Sequence, residues 1–403
     1  MKRRLLFISQ CYPIPLDGGG KIRTFSTLKA IASEFDIHAV FISERMPTKK
    51  QQLNLSAIGV NKQTIFLHSG PKENVKNNLL KLIFNYFRLR PHYVYQYSCT
   101  EAKQFIHKLI QSWKPEIIHV DHLNSAQFVP SNEWFLQRYS KSPILILDNH
   151  NVIHNFYYSR FRNTRKLIRK LYLFIEGSLN VIYEFIHYPR FNHIFSISDT
   201  EVSQITFMNK RVSVLPTQYP IKHQIKNGTK KIDLLFVGLL DWPPNEEGLR
   251  WFLDHSYPTL AKIFPHLSIC VIGGSDNLYR FKQDYPEIYF PGNVKSIDSY
   301  LSKSKVFFIP LLSGSGLCIK VLTALSCEIP IVSTTYGIRG YDLIHNKHVV
   351  LGDSPDSFTE AIHRLLLSED MRHRLASNGK KYFDQLTNQT TKNSKNMYLH
   401  AAH

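Results

Sequence analysis

The sequence predicts an α/β protein of two Rossmann-like domains, each a parallel sheet with helices on both faces, facing one another across a cleft. Three observations carry this reading. Apolar runs that suit strands buried on both faces alternate with helix-period segments through the first half of the chain. The alternation stops at residues 217–231, a polar stretch with Pro220, Gly228 and four lysines. It then starts again at Leu234. A length of 403 residues suits about two to three domains with ample core.

Taken in order, residues 5–9 and 37–42 read as buried strands flanking a helix near 23–33. Residues 117–120 and 144–147 are the next strands, and 193–198 closes the half. Residues 1–215 form the expected first domain and 216–231 the linker. In the second domain, 232–383, strands are expected at 234–237, 268–272, 288–290, 306–310 and 331–333. Helices fill 248–263, 296–303 and 318–327. Residues 384–403, rich in Asn, Thr and Lys, read as a polar tail that frays or packs back on the first domain. In open parallel sheets ligands bind beyond the carboxyl ends of the strands, so two facing sheets place the expected site in the cleft.

Composition sets further bounds. The net charge is +19, and residues 1–200 hold 27 Lys/Arg against 13 Asp/Glu. A one-sided basic field points to an anionic partner, that is nucleic acid, an anionic membrane or a phosphorylated substrate, unless it is only a solvated basic surface. No helix-turn-helix, zinc finger or aromatic RNA platform accompanies the charge, so nucleic acid is not an expected partner. Five scattered cysteines without a Cys-x-x-Cys pair read as reduced thiols. The apolar run behind Lys2-Arg3-Arg4 ends by Gln10, too short for a secretory signal. No stretch reaches the roughly 18 apolar residues of a membrane span. The chain is expected to be cytoplasmic, with a peripheral place on the inner face of the cell membrane open to it.

Residues 306–335 are the most informative. An apolar strand leads into Ser313-Gly314-Ser315-Gly316, then a helix-period segment, then Pro330 and a second buried strand, Ile331-Val332-Ser333. Free N–H groups at such a helix start stabilise an anion, and Lys320 adds positive charge one turn in. From spacing alone this is equally a phosphate site or a plain βαβ crossover whose glycines turn the chain.

Gly314-Ser315-Gly316-Leu317-Cys318-Ile319-Lys320-Val321-Leu322-Thr323-Ala324-Leu325-Ser326, with Pro330-Ile331-Val332-Ser333-Thr334 behind it, resembles the donor-site block of the retaining GT-B glycosyltransferases of family 4. That group includes capsule and lipopolysaccharide sugar transferases. Its close pattern has Arg where Cys318 stands and a ribose-binding Glu where Thr323 stands. The wider family places another Glu at Ser315. Leu5-Leu6-Phe7-Ile8-Ser9 with Asp17-Gly18-Gly19-Gly20 is similar to the family's first strand and glycine loop. Phe236-Val237-Gly238 followed by Asp241-Trp242-Pro243-Pro244-Asn245 resembles the opening of its second domain, and Gly337-Ile338-Arg339-Gly340 its closing elements.

The resemblance implies a nucleotide-diphosphate sugar as co-substrate, no separate cofactor and no metal. A glycan or lipid-linked molecule is the implied acceptor. Ser315, Gly316, Leu317 and Lys320 are the implied diphosphate contacts, and Thr323 holds the ribose position. Gly18, Gly19, Gly20 and Arg23 lie near the donor phosphate and sugar, although Arg23 fits a helix surface equally well. Asp121 and His150, at the carboxyl ends of two strands, are the implied catalytic pair. A strand-end His is also often only a hydrogen-bonded structural residue. No His/Asp/Cys ligand cluster is visible in the sequence. A threonine hydroxyl contacts ribose less strongly than a carboxylate, by about 1.5–3 kcal/mol, so a non-catalytic GT-B scaffold is the alternative. GT-B sugar-nucleotide epimerases share the architecture.

Two basic, aromatic segments suit an anionic membrane surface. Residues 75–90 carry Lys76, Lys81, Arg88 and Arg90, with no acid from Asn74 to Thr100. Residues 157–188 carry Arg160, Arg162, Arg165, Lys166, Arg169 and Lys170. Either is equally an ordinary helix packed on the sheet.

Overall fold

The computed structural model describes residues 2–402 except 68–84, 165, 216–217, 226–228, 275–277 and 315–316. It forms two compact units: Met1–Pro220 with Thr390–His403, and Ile221–Gln389.

The first unit is a seven-stranded sheet: β1 (Arg3–Ser9), β2 (Phe35–Ser43), β3 (Lys62–Leu67), β4 (Ile117–Asp121), β5 (Ile144–Asp148), β6 (His193–Ser196) and β7 (Val212–Val214). All neighbours are parallel, in the order β3-β2-β1-β4-β5-β6-β7. The period of two sends Leu6, Ile8, Val120 and Leu147 to one core and Leu5, Phe7, Ile117 and Ile146 to the other. Both faces are covered, so the central strands read as continuous apolar runs. β3 lies at the edge, half-exposed, and its KQTIFL sequence shows no such run. Of the basic segment 75–90, residues 75–84 lie outside the described residues.

Of the two expectations for residues 384–403, fraying or packing back on the first domain, the described residues, up to Ala402, show the second. They end a long helix, Glu369–Ala401, whose last residues belong to the first unit. Its turns are polar outside, but the helical period brings Tyr398 and Ala402 inward, both buried among Leu5, Phe7 and Phe195. The Tyr398 hydroxyl and His119 Nδ1 share a 2.8 Å hydrogen bond. Tyr398→Phe keeps the ring and removes this bond. It is expected to lower first-unit stability by about 0.5–1.5 kcal/mol in denaturant unfolding, and an unchanged midpoint would show the bond contributes nothing.

The second unit holds β8 (Ile232–Val237), β9 (Ile269–Ile272), β10 (Tyr289–Gly292), β11 (Ser304–Ile309), β12 (Ile331–Ser333) and β13 (Val350–Leu351). They run parallel in the order β10-β9-β8-β11-β12-β13. The helix expected at 248–263 comes in three pieces: Pro243–Trp251, a wide π turn at Phe252–Ser256, and Tyr257–Ile263. Pro258 lacks an N–H and its ring crowds the preceding turn, so the helix widens before it. All five cysteines are free. Among the described residues no helix is long and apolar enough to cross a membrane.

In each sheet the strand order reverses once, between β1 and β4 and between β8 and β11. These reversals leave crevices beyond the strands' carboxyl ends, where open α/β sheets take ligands.

Candidate active site

The first-unit site is built by register. Ser9 of β1 pairs with Asp121 of β4, and Asp121 with Asp148 of β5. Three strand ends therefore carry polar side chains side by side. The helix Gly19–Ile31 crosses them and adds Arg23, Thr24 and Thr27. Asp121 is fully buried and accepts from Ser9 Oγ at 2.6 Å, Thr24 Oγ1 at 2.8 Å and His150 Nε2 at 2.8 Å, with His122 Nδ1 at 3.2 Å. Burial pushes its carboxyl upward, but the two imidazoles outweigh burial and hold it well below the usual carboxylate range.

His150 donates through Nε2, so the opposite nitrogen, Nδ1, keeps its lone pair. That atom is buried and has no hydrogen-bond partner among the described residues. Burial, then the neighbouring His122, push the His150 ring below its ordinary value despite the pull of Asp121. The ring is therefore neutral at pH 7. His122 stacks on it with centroids 3.6 Å apart. To do so His122 adopts φ 68, a setting that non-glycine residues rarely take, fixed by its N–H bond to the Asp148 carbonyl at 3.0 Å. Gly20 faces this pair. A Cβ there would lie 3.2 Å from His122 Nε2 and 3.6 Å from His150 Nδ1. Gly18 is the N-cap of the same helix, and Gly19 its first residue.

Arg23 turns inward. Its guanidinium contacts Asp148 Oδ1 at 2.7 Å from Nε and 2.5 Å from Nη2, and donates to the Leu215 carbonyl at 2.7 Å. The structure thus gives Arg23 a carboxylate partner inside the protein. The sequence shows no His/Asp/Cys ligand cluster, but the fold assembles side chains of that kind: Asp121, His122 and His150 bring ligand atoms within 4.8 Å of one another, as do His119, Asp121 and Asp148. Sequence distance hid it, because parallel pairing joins residues far apart in the chain. In the first set each imidazole spends its inner nitrogen on Asp121, which also takes two hydroxyl donors. The arrangement therefore works as a hydrogen-bonded network that orients His150.

The second-unit site lies at the ends of β8 and β11. Lys320, in the first turn of the helix Ile319–Ser326, is half-buried. Its Nζ donates to Asn245 Oδ1 at 2.5 Å and lies 5.5 Å from the centre of the Phe236 ring. Desolvation lowers its pKa. Asn245 is held in turn by the hydrogen bond its Nδ2 donates to the Leu239 carbonyl at 2.7 Å. Gly238 makes room, since a Cβ there would lie 2.7 Å from Lys320 Cε. Gly314 has φ +134, which favours glycine, and its carbonyl accepts from Tyr336. Ser315 and Gly316 lie outside the described residues. Leu317 is half-buried, and the helix N-cap, Cys318, makes no side-chain capping bond. Thr323 is buried and donates back to the Ile319 carbonyl at 3.3 Å.

The fold thus joins Asp121 and His150 and adds Ser9, Thr24 and His122 as partners of Asp121, with Asp148 beside them in register. Asn245 is a further addition, beside Lys320. The visible signals were the polar pairs Asp121-His122 and Asp148-Asn149 at the ends of apolar runs.

Residues 231–368, within the second unit, match the family model described as glycosyl transferases group 1. A Klebsiella pneumoniae protein, described as an uncharacterized 44.6 kDa protein in the cps region, is 23% identical over 232 residues. The match covers 55% of this chain and 59% of that protein, so the chain spans about three fifths of that relative's length. Among solved structures, Anabaena HepE in complex with UDP and glucose aligns with a TM-score of 0.64 at 11% identity, over 96% of this chain and 98% of that one. TarM aligns at 0.69 and 11%, over 100% and 99%. The pneumococcal O-GlcNAc transferase GtfA, in complex with UDP and GlcNAc, aligns at 0.63 and 10%, over 100% and 99%. Likeness at such identity establishes the fold: two parallel-sheet α/β units of the GT-B type.

Proposed function

We propose that this GT-B chain, with its group 1 glycosyl transferase domain at residues 231–368, moves a sugar from a nucleotide-diphosphate donor to a glycan or lipid-linked acceptor with retention, in cell-surface polysaccharide assembly. The observation that carries the reading is Lys320, a half-buried cation at a helix start beyond the carboxyl ends of β8 and β11, inside the matched domain. Such a group stabilises negative charge where it builds up on a departing diphosphate. The charge comes from a lysine and backbone amides, so the reading is metal-independent, and a chelator should leave transfer unchanged. The first unit supplies His150, whose Nδ1 lone pair can take a hydrogen bond from a sugar or acceptor hydroxyl. The reading places the chain on the cytoplasmic side of the cell membrane, beside a membrane-borne acceptor.

HepE and GtfA are seen with UDP, so UDP is the first ligand to test. It should raise the melting temperature, since a ligand that binds only the folded state stabilises it. Lys320→Ala is expected to weaken UDP binding by about 1–3 kcal/mol in calorimetry. Equal affinity would remove Lys320 from the site, and no shift with any nucleoside diphosphate would sink the donor reading. Thr323, in place of the resembling family's carboxylate, favours a second reading, a non-catalytic GT-B scaffold. Donor hydrolysis or transfer by the purified chain excludes it.

A further inference from the structure

The helix Leu167–His187 has two faces that both need cover. Its inner face packs Leu173, Gly177, Leu179 and Tyr183 and is tied down by two fully buried carboxylates. Glu176 accepts from the His92 N–H at 3.1 Å and the Tyr86 hydroxyl at 2.7 Å. Glu184 accepts from the His154 N–H at 3.2 Å and faces His154 Nδ1 at 2.6 Å. The outer face is apolar as well. Leu167, Ile168, Leu171, Phe174, Phe185 and Ile186 recur at helical spacing with exposures from 50% at Phe174 to 87% at Ile168. Exposed Phe207 extends the stripe, edge-on to Phe185 at 5.4 Å. The stripe runs about 30 Å along the helix. The exposed residues form two apolar groups, at 167–174 and at 185–186 with Phe207, on one side of the helix, with partly buried residues between them; exposed apolar groups of this kind mark an interaction site.

We propose that this outer face docks on an anionic lipid bilayer, with the helix lying flat in the interface. The occupant follows from charge. Between Asn149 and Ser198 the only acids are Glu176 and Glu184, both buried facing inward. Arg162, Lys166 and Arg169 are exposed at one end of the stripe, and Lys210 and Arg211 at the other. Apolar groups flanked at both ends by exposed lysines and arginines match a lipid surface with anionic headgroups. Pairing with a second copy would bring these basic ends of two copies together, which like-charge repulsion opposes. The buried carboxylates keep the helix on its unit, so it lies on the bilayer and does not span it. The proposal deepens the membrane-borne acceptor of the reading above, and it fails or stands separately from sugar transfer.

The test is co-sedimentation of the full chain with phosphatidylcholine vesicles, with and without phosphatidylglycerol. The wild type should pellet with the anionic vesicles, less with neutral ones, and less as salt rises. Ile168→Asn with Leu171→Asn, both at exposed positions, should reduce binding about tenfold or more. Lys166→Gln, Arg169→Gln and Lys170→Gln together should abolish the preference for phosphatidylglycerol. Circular dichroism melting should match the wild type for both variants, and UDP affinity should be unchanged. Failure of the wild type to pellet, equal binding by the apolar variant, or a dimer in light scattering that this variant dissolves would overturn the proposal. Absence of UDP binding in every form would remove the donor reading and leave the docking result standing.

Discussion

Asp148→Asn is expected to lower the stability of the first unit by about 3–5 kcal/mol, although it changes the side-chain volume hardly at all. Arg23 and Asp148 form an ion pair with side-chain exposures of 3% and 0%. Removing the negative charge leaves a guanidinium that stays protonated in a place without water to solvate it. Thr27 Oγ1, at 3.1 Å from the other carboxylate oxygen, adds to the loss. The Leu215 carbonyl keeps one hydrogen bond to Arg23 and limits it. Denaturant unfolding measures the change. Arg23→Met combined with Asp148→Leu should cost clearly less than the single Asp148→Asn, because no unpaired charge is left behind. A single-variant loss under about 1 kcal/mol would mean that water reaches the pair and that it contributes little.

His150→Phe is expected to reduce transfer about a hundredfold or more, while UDP binding stays as in the wild type. The phenyl ring keeps the stack on His122, so the variant isolates the two nitrogens. It loses the Nε2 donor to Asp121 and, with it, the buried Nδ1 lone pair. Unreduced transfer would return His150 to a purely structural role. The pH profile is an independent check. The folded His150 pKa lies below the ordinary 6.5, burial being the first cause, so the ring holds its lone pair through neutral pH and loses it only in acid. Transfer should be level near neutrality and fall only below pH 6.5. The fold weakens over the same range. Burial lowers His119 from 6.5 to about 4, so unfolded chains bind its proton first. Its contribution, about 3 kcal/mol, is fully present above pH 6.5 and is lost as pH falls toward 4. Activity should therefore be measured well below the melting temperature at each pH.

How much of this was legible in the sequence differs by element. β1, β4, β5, β8, β11 and β12 are buried on both faces, so their apolar runs announced them and their strand ends within a residue or two. The edge strands β3 and β13 bury less apolar surface and left no such signal. Polar sets at strand ends pointed to Asp121 and His150. The pairing of Arg23 with Asp148 did not show, because it joins residues 125 apart along the chain. Composition marked residues 157–188 as basic and amphipathic but gave no way to tell which face was covered. The contacts of Glu176 and Glu184 decide that.

By itself the sequence determined the two parallel-sheet units, the glycine turns and the helix that carries Lys320, since those follow from local periodicity and backbone freedom. Only the tertiary structure decided that Ser9, Asp121 and Asp148 share one register, that Arg23 folds inward, and that Tyr398 closes the first core. The physical reason is that parallel strands align residues brought together by long crossovers, and burial then sets each group's partner and charge. Neither quantity has a local signature in the chain.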